Sequence, residues 1–266
     1  MGEVEVVGVE GLAEGVLGEV VALLRGAGCV FAEDEAAILV GAAGSVGELR
    51  EMVARRVRGV PLEHVVGWAE FAGVRVGVAP GVFVPRRRTE FLVGEAVGLL
   101  VEGAVVVDLC CGSGALGAAV KAAREDVELH AADVDPAAVA CARGNVRGAV
   151  YEGDLFEALP GRLRGRVDVL LANVPYVPSG EIALLPSEAR EHEARAALDG
   201  GPDGLDVLRR VAAEAPAWLA PGGSVLVETS ERQVEAAVAA FAGSGLSVRV
   251  ATDDEYDATV VVASLP

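Results

Sequence analysis

The feature that most constrains the fold is an alternation of short β-rich runs with helical segments, which begins after Pro85. Seven runs have the apolar, β-branched character of strands: AVVVDL, VELHAAD, AVYEGD, VDVLLAN, SVLVETS, LSVRVAT and ATVVVASL. Helical segments separate most of them, but none separates the last two. Parallel neighbours need a crossover, so the pattern predicts an α/β fold with a doubly wound, mostly parallel, seven-stranded sheet and one antiparallel edge.

The residues before this sheet follow two other patterns. Apolar residues recur at helical spacing from about residue 10 to 58, with glycines after each segment. Residues 66–84 alternate around Gly73, which is typical of a β-hairpin. We therefore predict a small helical N-terminal domain over residues 1–65, a hairpin linker over 66–84 and the sheet domain over 85–266.

The composition indicates a globular protein. Apolar residues make up 52% of the chain, which is ample for a core. No apolar run reaches the roughly 18 residues of a membrane span, and the start MGEVEVVGVEG lacks the basic flank of a secretory signal. We expect a cytoplasmic protein that does not bind a membrane. The four cysteines and three histidines lack metal-ligand spacing, so we expect reduced thiols and no metal site.

The formal net charge of −18 counts against a surface built for duplex DNA, which requires lysine and arginine at the phosphates. The charge is uneven, because residues 45–90 carry eight arginines against five acids. This basic strip could face an acidic or RNA-containing partner, or it could be a solvated helix face.

A glycine-rich turn follows the first strand of the sheet domain, in VVVDLCCGSGALG. Asp108 closes the strand, and Gly112, Ser113 and Gly114 precede a helix. Glycines there allow a ligand to approach the backbone, and the helix start offers free N–H groups. The spacing D-x-x-x-G-x-G differs from the dinucleotide fingerprint, and the acid suits a cationic part of a ligand.

Two further strands also end in acids. Asp133 stands where a carboxylate can accept both ribose hydroxyls, and Asp135 is better explained as a helix N-cap. Asp154 could accept from an adenine amino group, with Leu155 or Phe156 covering the ring. Asp108, Asp133 and Asp154 thus stand at the ends of three successive strands. Together they predict a site for an adenosine with a cationic tail, which points to S-adenosylmethionine over NAD.

The fourth strand ends in Asn173, Val174, Pro175 and Tyr176. A nitrogen that is to be methylated must present its lone pair, so two acceptors should hold its hydrogens. The Asn173 side-chain oxygen and the Val174 carbonyl can be those acceptors, and Tyr176 can stack on the planar group that bears the nitrogen. A neutral acceptor suits an amide or an aromatic amine.

These motifs resemble the class I S-adenosylmethionine-dependent methyltransferases, and among them the HemK-type protein-(glutamine-N5) methyltransferases of peptide chain release factors. The resemblance covers nearly the whole chain and includes RGVPLEHVVGWAEFAGVRV, VPRRRTE, VVDLCCGSGALG, GDLFEAL, NVPYVP, EARAALDGGPDGLDVLRR and LAPGGSVLVE. It implies a Rossmann-like methyltransferase domain over residues 85–266 and a protein substrate, such as a release factor or a ribosome-associated protein.

The resemblance also assigns residues by position. The loop would wrap the methionine part of S-adenosylmethionine; it consists of Cys110, Cys111, Gly112, Ser113 and Gly114. Asp133 would hold the ribose, and Asp154 with Leu155 would border the adenine. Asn173 and the Val174 carbonyl would orient the amide, with Tyr176 packed on it.

Three departures from the family pattern stand out. Cys110 replaces a usual glycine, NVPY replaces Asn-Pro-Pro-Tyr, and PRRRTE replaces Pro-Arg-Pro-Glu-Thr-Glu. The last two concern residues near the substrate. Three other functions use the same motifs: adenine-N6 methylation of RNA or DNA, methylation of a small-molecule amine, and S-adenosylmethionine binding without catalysis.

Overall fold

In a computed structural model, the chain divides into two compact units, Met1–Val66 and Gly67–Pro266. The structure describes residues 9–266, and side chains from residue 15 onward. The first eight residues, where the sequence predicts no secretory signal, lie outside the described residues. Among the described helices, none is long and apolar enough to cross a bilayer.

The first unit is helical, as the spacing of its apolar residues predicts. Its helices are α1 (Val9–Gly26), α2 (Ala32–Ala42), α3 (Val46–Val57) and α4 (Leu62–Val66). The hydroxyl of Ser45 caps α3 by accepting a hydrogen bond from the backbone N–H of Glu48. Leu24, Leu39 and Met52 are buried in its core. The unit is thus held by the apolar faces of amphipathic helices.

A buried ion pair crosses the first unit. Arg56 on α3 donates to both carboxylate oxygens of Glu35 on α2, at 2.5 and 3.0 Å. Both side chains are almost fully buried, so each charge depends on the other for compensation. One arginine of the predicted basic strip therefore serves to join two helices.

The second unit begins with the predicted hairpin. Strands β1 (Trp68–Phe71) and β2 (Val74–Gly77) pair antiparallel. Asn145 accepts a hydrogen bond from the backbone N–H of Gly77 and donates one to its carbonyl, both at 2.8 Å. The hairpin, predicted as a linker, is thus part of the same compact unit as the sheet and is fastened to it.

The sheet contains seven strands in the order β5-β4-β3-β6-β7-β9-β8. They are β3 (Val105–Leu109), β4 (Glu128–Asp133), β5 (Ala149–Glu152), β6 (Val167–Ala172), β7 (Leu219–Glu228), β8 (Ser247–Asp253) and β9 (Ala258–Ser264). The first five strands across the sheet, β5, β4, β3, β6 and β7, run parallel to one another. Strand β9 is antiparallel to both of its neighbours, β7 and β8. The predicted doubly wound sheet and its antiparallel edge are confirmed.

Helices cover both faces of this sheet. They are α5 (Glu90–Val97), α6 (Ala115–Ala123), α7 (Pro136–Asn145), α9 (Asp206–Glu214) and α10 (Val234–Gly243), and a short helix α8 (Ser187–His192) lies in the segment between β6 and α9. Side chains alternate along a strand, so Val106 of β3 joins a core with α5 and α6, while Val107 joins another with α9 and α10. The strand order reverses between β3 and β6, and in such sheets ligands bind outside the strand ends at this point.

Candidate active site

The glycine-rich loop connects β3 to α6 through three left-handed residues. Cys110, Gly112 and Gly114 have φ values of +57°, +54° and +78°. A β-carbon on Gly114 would lie 2.5 Å from Cγ2 of Val146 and 3.2 Å from Cβ of Ala142. Gly114 is therefore required both by its backbone conformation and by space. Cys110 adopts a left-handed conformation that favours glycine, the residue usual in the family at that position.

Asp133 lies at the end of β4, next to this loop. Its Oδ2 accepts a hydrogen bond from the N–H of Gly112 at 2.8 Å, and its Oδ1 accepts one from the N–H of Asp135 at 2.9 Å. Burial raises the pKa of Asp133, and the two backbone donors oppose that rise. Each carboxylate oxygen has a further lone pair. Asp133 can thus still accept from the hydroxyls of a ligand.

Asp108 lies deeper than the sequence suggests. The residue is 1% exposed, and its Oδ2 accepts from the N–H of Gly117 in α6 at 2.8 Å. Its Oδ1 is buried without a hydrogen-bond partner among the described residues. Burial raises the pKa of Asp108 to about 8. Asp108 holds the start of α6 from beneath the loop and does not line its surface.

The other loop residues are held by their neighbours. Cys111 donates its backbone N–H to the carbonyl of Ala132 at 3.0 Å. The carbonyl of Ser113 accepts from the side-chain amide of Asn145 at 2.8 Å. Burial raises the pKa of the Cys110 and Cys111 thiols, so both stay neutral. Sequence analysis missed Asn145, which ties the loop to the hairpin.

Asp154 and Leu155 follow β5, and Gly153 donates its N–H to the carbonyl of Asp133 at 3.0 Å. Asp154 forms a half-exposed ion pair with Arg210 at 2.7 Å, and Leu155 is buried. The expectation that Phe156 could cover an adenine ring is wrong. Its ring is buried and stacks on Trp218 in the core, with centroids 5.5 Å apart.

Asn173 and Val174 come directly after β6. Asn173 is half-buried, and its carboxamide makes no hydrogen bond within the described part of the chain. Val174 is 1% exposed as a whole residue, and its side chain packs in the core. The Val174 carbonyl accepts no hydrogen bond from any described residue. Two unused acceptors are therefore adjacent in sequence at the end of the strand.

Tyr176, by contrast, is held at both ends. Its hydroxyl donates to Oε1 of Glu228 at 2.7 Å and accepts from Nη2 of Arg88 at 2.8 Å. Its carbonyl accepts from the side-chain amide of Gln233 at 2.9 Å. Burial, and secondarily the charge of Glu228, raises the pKa of Tyr176, so the phenol stays protonated.

Sequence analysis did not single out Glu228 or Gln233, which hold Tyr176, whereas Arg88 belongs to PRRRTE, a departure already placed near the substrate. The sequence pattern could have identified Glu228, because this acid closes the apolar run SVLVE just as Asp133 closes its own strand. Gln233 carries no such signal.

The predicted basic strip is largely neutralised by pairing within the chain. Arg75 pairs with Glu70, and Arg86 donates to both oxygens of the buried Glu193 at 2.6 and 2.7 Å. Five of the eight arginines pair with acids: Arg56, Arg75, Arg86, Arg87 and Arg88. The strip therefore offers less positive charge to an RNA than its sequence indicates.

The model of the family described as "Methyltransferase small domain" matches residues 75–256, which is more than half of the chain. The chain belongs to this family. The structure of a methyltransferase from Pyrococcus furiosus matches with a TM-score of 0.55 and 17% identity, over 72% of this chain and 89% of that one. The methyltransferase small domain thus has the fold that the alternating pattern predicts.

Two relatives show to which group within this family the chain belongs. A release factor glutamine methyltransferase of Geobacter sulfurreducens is 37% identical, over 74% of this chain and 70% of the relative. One of Mycolicibacterium smegmatis is 41% identical, over 72% of this chain and 71% of the relative. The predicted membership of the release factor glutamine methyltransferase family is confirmed, and the chain is a methyltransferase.

Proposed function

We propose that this methyltransferase transfers a methyl group from S-adenosylmethionine to the side-chain amide nitrogen of a glutamine in a protein, specifically a peptide chain release factor. The observation that carries the proposal is the pair of unused acceptors at Asn173 and Val174, next to the fixed ring of Tyr176. The names of the two relatives support the same substrate.

The residues at the strand ends fit S-adenosylmethionine. The left-handed Gly112 has room where a β-carbon would be, so a ligand can approach the backbone there, while Gly114 allows the loop to pack against the C-terminal end of α7. Asp133 has lone pairs for the ribose hydroxyls, and Asp154 with Leu155 follows the neighbouring strand, where the adenine would lie. S-Adenosylmethionine supplies a methyl group on a sulfonium, from which the thioether departs as a neutral group.

The acceptor side needs orientation more than acid–base chemistry. An amide nitrogen is a poor nucleophile, because its lone pair is delocalised into the carbonyl. Hydrogen bonds from its two N–H groups to the Asn173 oxygen and the Val174 carbonyl would point the lone pair at the methyl group. The same two bonds would stabilise positive charge as it develops on nitrogen, and one of the two N–H protons would then leave to water to give the neutral N-methyl amide. Asn173 and Val174 would therefore act by positioning and by preorganised electrostatics.

The deciding experiment uses S-adenosylmethionine labelled in the methyl group and an unmethylated release factor. We expect label in the release factor, at a glutamine identified by mass spectrometry. Asn173→Ala should still bind S-adenosylmethionine in calorimetry but should lose turnover by about two orders of magnitude or more, the loss typical of removing a preorganised donor or acceptor.

A parallel reaction in cell extract, treated separately with protease and nuclease, tests the nucleic acid alternative. Label removed by protease supports a protein substrate. Label removed by nuclease would contradict the proposal, and so would wild-type turnover by Asn173→Ala.

A further inference from the structure

Three side chains form a closed triangle beside the candidate acceptor site. Arg88 donates through Nε to Oε1 of Glu228 at 2.9 Å and through Nη2 to the Tyr176 hydroxyl at 2.8 Å. The Tyr176 hydroxyl donates to the same Glu228 oxygen at 2.7 Å. These residues lie up to 140 positions apart in sequence. The triangle therefore joins the segment before α5, the end of β6 and the end of β7.

The hydrogen-bond chemistry of the triangle is complementary. A phenol has one hydrogen to donate, which goes to the carboxylate, and it accepts the guanidinium N–H with a lone pair. The bonds to the carboxylate are charge-assisted or charge-paired, which makes them stronger than bonds between neutral groups. Burial raises the pKa of the phenol, which preserves its hydrogen. The orientation of the Tyr176 hydroxyl is thus fixed by a donor and an acceptor at once.

Glu228 is the buried member of this triangle. Its side chain is 3% exposed, and it ends a strand whose preceding residues are buried. Its second oxygen, Oε2, is buried without a hydrogen-bond partner among the described residues. A buried carboxylate in this state depends on its single cation for compensation. Arg88 supplies that cation from a side chain that is 46% exposed.

The backbone of Tyr176 is held from the same strand end. Gln233 donates to the carbonyl of Tyr176 at 2.9 Å and to that of Asp203 at 3.0 Å. The hydroxyl of Ser230 donates to the side-chain oxygen of Gln233 at 2.7 Å. The residues that follow β7 therefore hold Tyr176 at its carbonyl, and the triangle holds its hydroxyl.

We propose that Arg88 and Glu228 are positioning residues for methyl transfer, which hold the Tyr176 hydroxyl and so fix its ring against the acceptor amide. This proposal rests on the proposed function, because it requires Tyr176 to lie against the acceptor. Neither residue touches the reacting atoms. Their effect is expected in turnover and not in binding of the methyl donor, which contacts other strand ends.

The test is a double-mutant cycle on Arg88→Ala and Tyr176→Phe, with kcat and the KM for S-adenosylmethionine measured for each variant. Loss of one charge-assisted hydrogen bond predicts a fall in kcat of about tenfold for Arg88→Ala, with the KM within about twofold of wild type. Because both changes break the same network, the double variant should be no slower than Tyr176→Phe alone. Arg88→Lys should recover part of the loss in kcat, since the lysine ammonium restores the positive charge but not the planar guanidinium that donates to two partners at once.

Arg249→Ala is the matched control. Arg249 lies on the edge strand β8, away from the candidate site, where it pairs with Glu95 at 2.7 Å, and its side chain is 51% exposed, close to the 46% of Arg88. Its removal should leave kcat unchanged. Thermal unfolding is recorded for every variant, and Arg88→Gln replaces Arg88→Ala in the cycle if the alanine variant does not fold.

Three results would overturn the positioning role: an unchanged kcat for a folded Arg88 variant, a change confined to the KM, or multiplicative effects in the cycle. The identity of the labelled product in the wild-type reaction tests the proposed function separately. The double-mutant cycle uses only ratios of kcat between variants. A wrong substrate class therefore shows in the identity of the labelled product, and a wrong positioning role shows in those ratios.

Discussion

The backbone N–H of Gly112 donates a 2.8 Å hydrogen bond to Oδ2 of Asp133. This bond joins the glycine-rich loop after β3 to the end of the neighbouring strand β4. The carboxylate proposed to hold the ribose therefore also sets the position of the loop proposed to wrap the methionine. Changes that move the loop should consequently weaken binding of the methyl donor as a whole.

Gly114→Ala should disturb this loop directly. The substitution places a β-carbon against Val146 and Ala142 at a residue with φ of +78°. We expect a loss of about 2 kcal/mol in the free energy of unfolding, since strain and overpacking add. The affinity for S-adenosylmethionine, measured by calorimetry, should fall as well. Gly144→Ala is the control, because that glycine lies within α7 and a β-carbon there would have no atom within 4 Å; alanine there should be neutral or stabilising.

Asp108→Asn should flatten the dependence of stability on pH. The pKa of Asp108 is raised from 3.8 to about 8 in the folded protein. The folded state then holds a proton that the unfolded chain releases, so the stabilisation is complete below the unfolded pKa and is lost as pH rises toward 8. Urea unfolding of both proteins at about pH 5 and about pH 9 measures this change. A variant with the full wild-type slope would show that Asp108 titrates normally.

Arg86→Ala should be strongly destabilising. Arg86 donates to both oxygens of Glu193, whose side chain is 1% exposed. Removing the cation from a buried carboxylate costs about 3 kcal/mol. Arg195→Ala breaks an exposed pair with Asp199 and should cost less than about 1 kcal/mol. Equal losses in denaturant unfolding would contradict this distinction.

Val174→Ala should separate stability from catalysis. The Val174 side chain is buried in the core, and its truncation should cost about 2 kcal/mol in the free energy of unfolding. The proposed function uses only the carbonyl of this residue. Turnover below the melting transition should therefore stay close to that of the wild type. A large loss of kcat would show that the side chain itself shapes the acceptor site.

Local sequence patterns predicted the elements of the fold. The runs of alternating or continuous apolar residues and the helical periodicity are properties of neighbouring residues, so the seven strands could be read directly. The N-cap role of Asp135 is equally local, and its Oδ1 does accept from the N–H of Ala137 at 2.9 Å. Asp133 and Asn173 were chosen as candidates because each directly ends or follows a strand, and the structure places them at those strand ends.

Partnerships between distant segments were not predictable in this way. Phe156 looked available for a ligand, but it stacks on Trp218, a residue far along the chain. Asp108 was expected to suit the cationic part of a ligand, but it is buried beneath the glycine-rich loop. Burial and pairing at these positions depend on which strands become neighbours, which the periodicity of one segment does not specify.

The sequence by itself determined the class of fold, the order of strands and helices along the chain, and the carboxylates and amide at the strand ends, because each depends on residues close together in the chain. Only the tertiary structure decided which residues hold Tyr176. The parallel pairing of β6 with β7 brings Glu228 beside Tyr176, and the packing of the sheet domain adds Arg88 from 140 residues away. Such contacts form when hydrogen-bonding groups are buried together, and the chain acquires them only on folding.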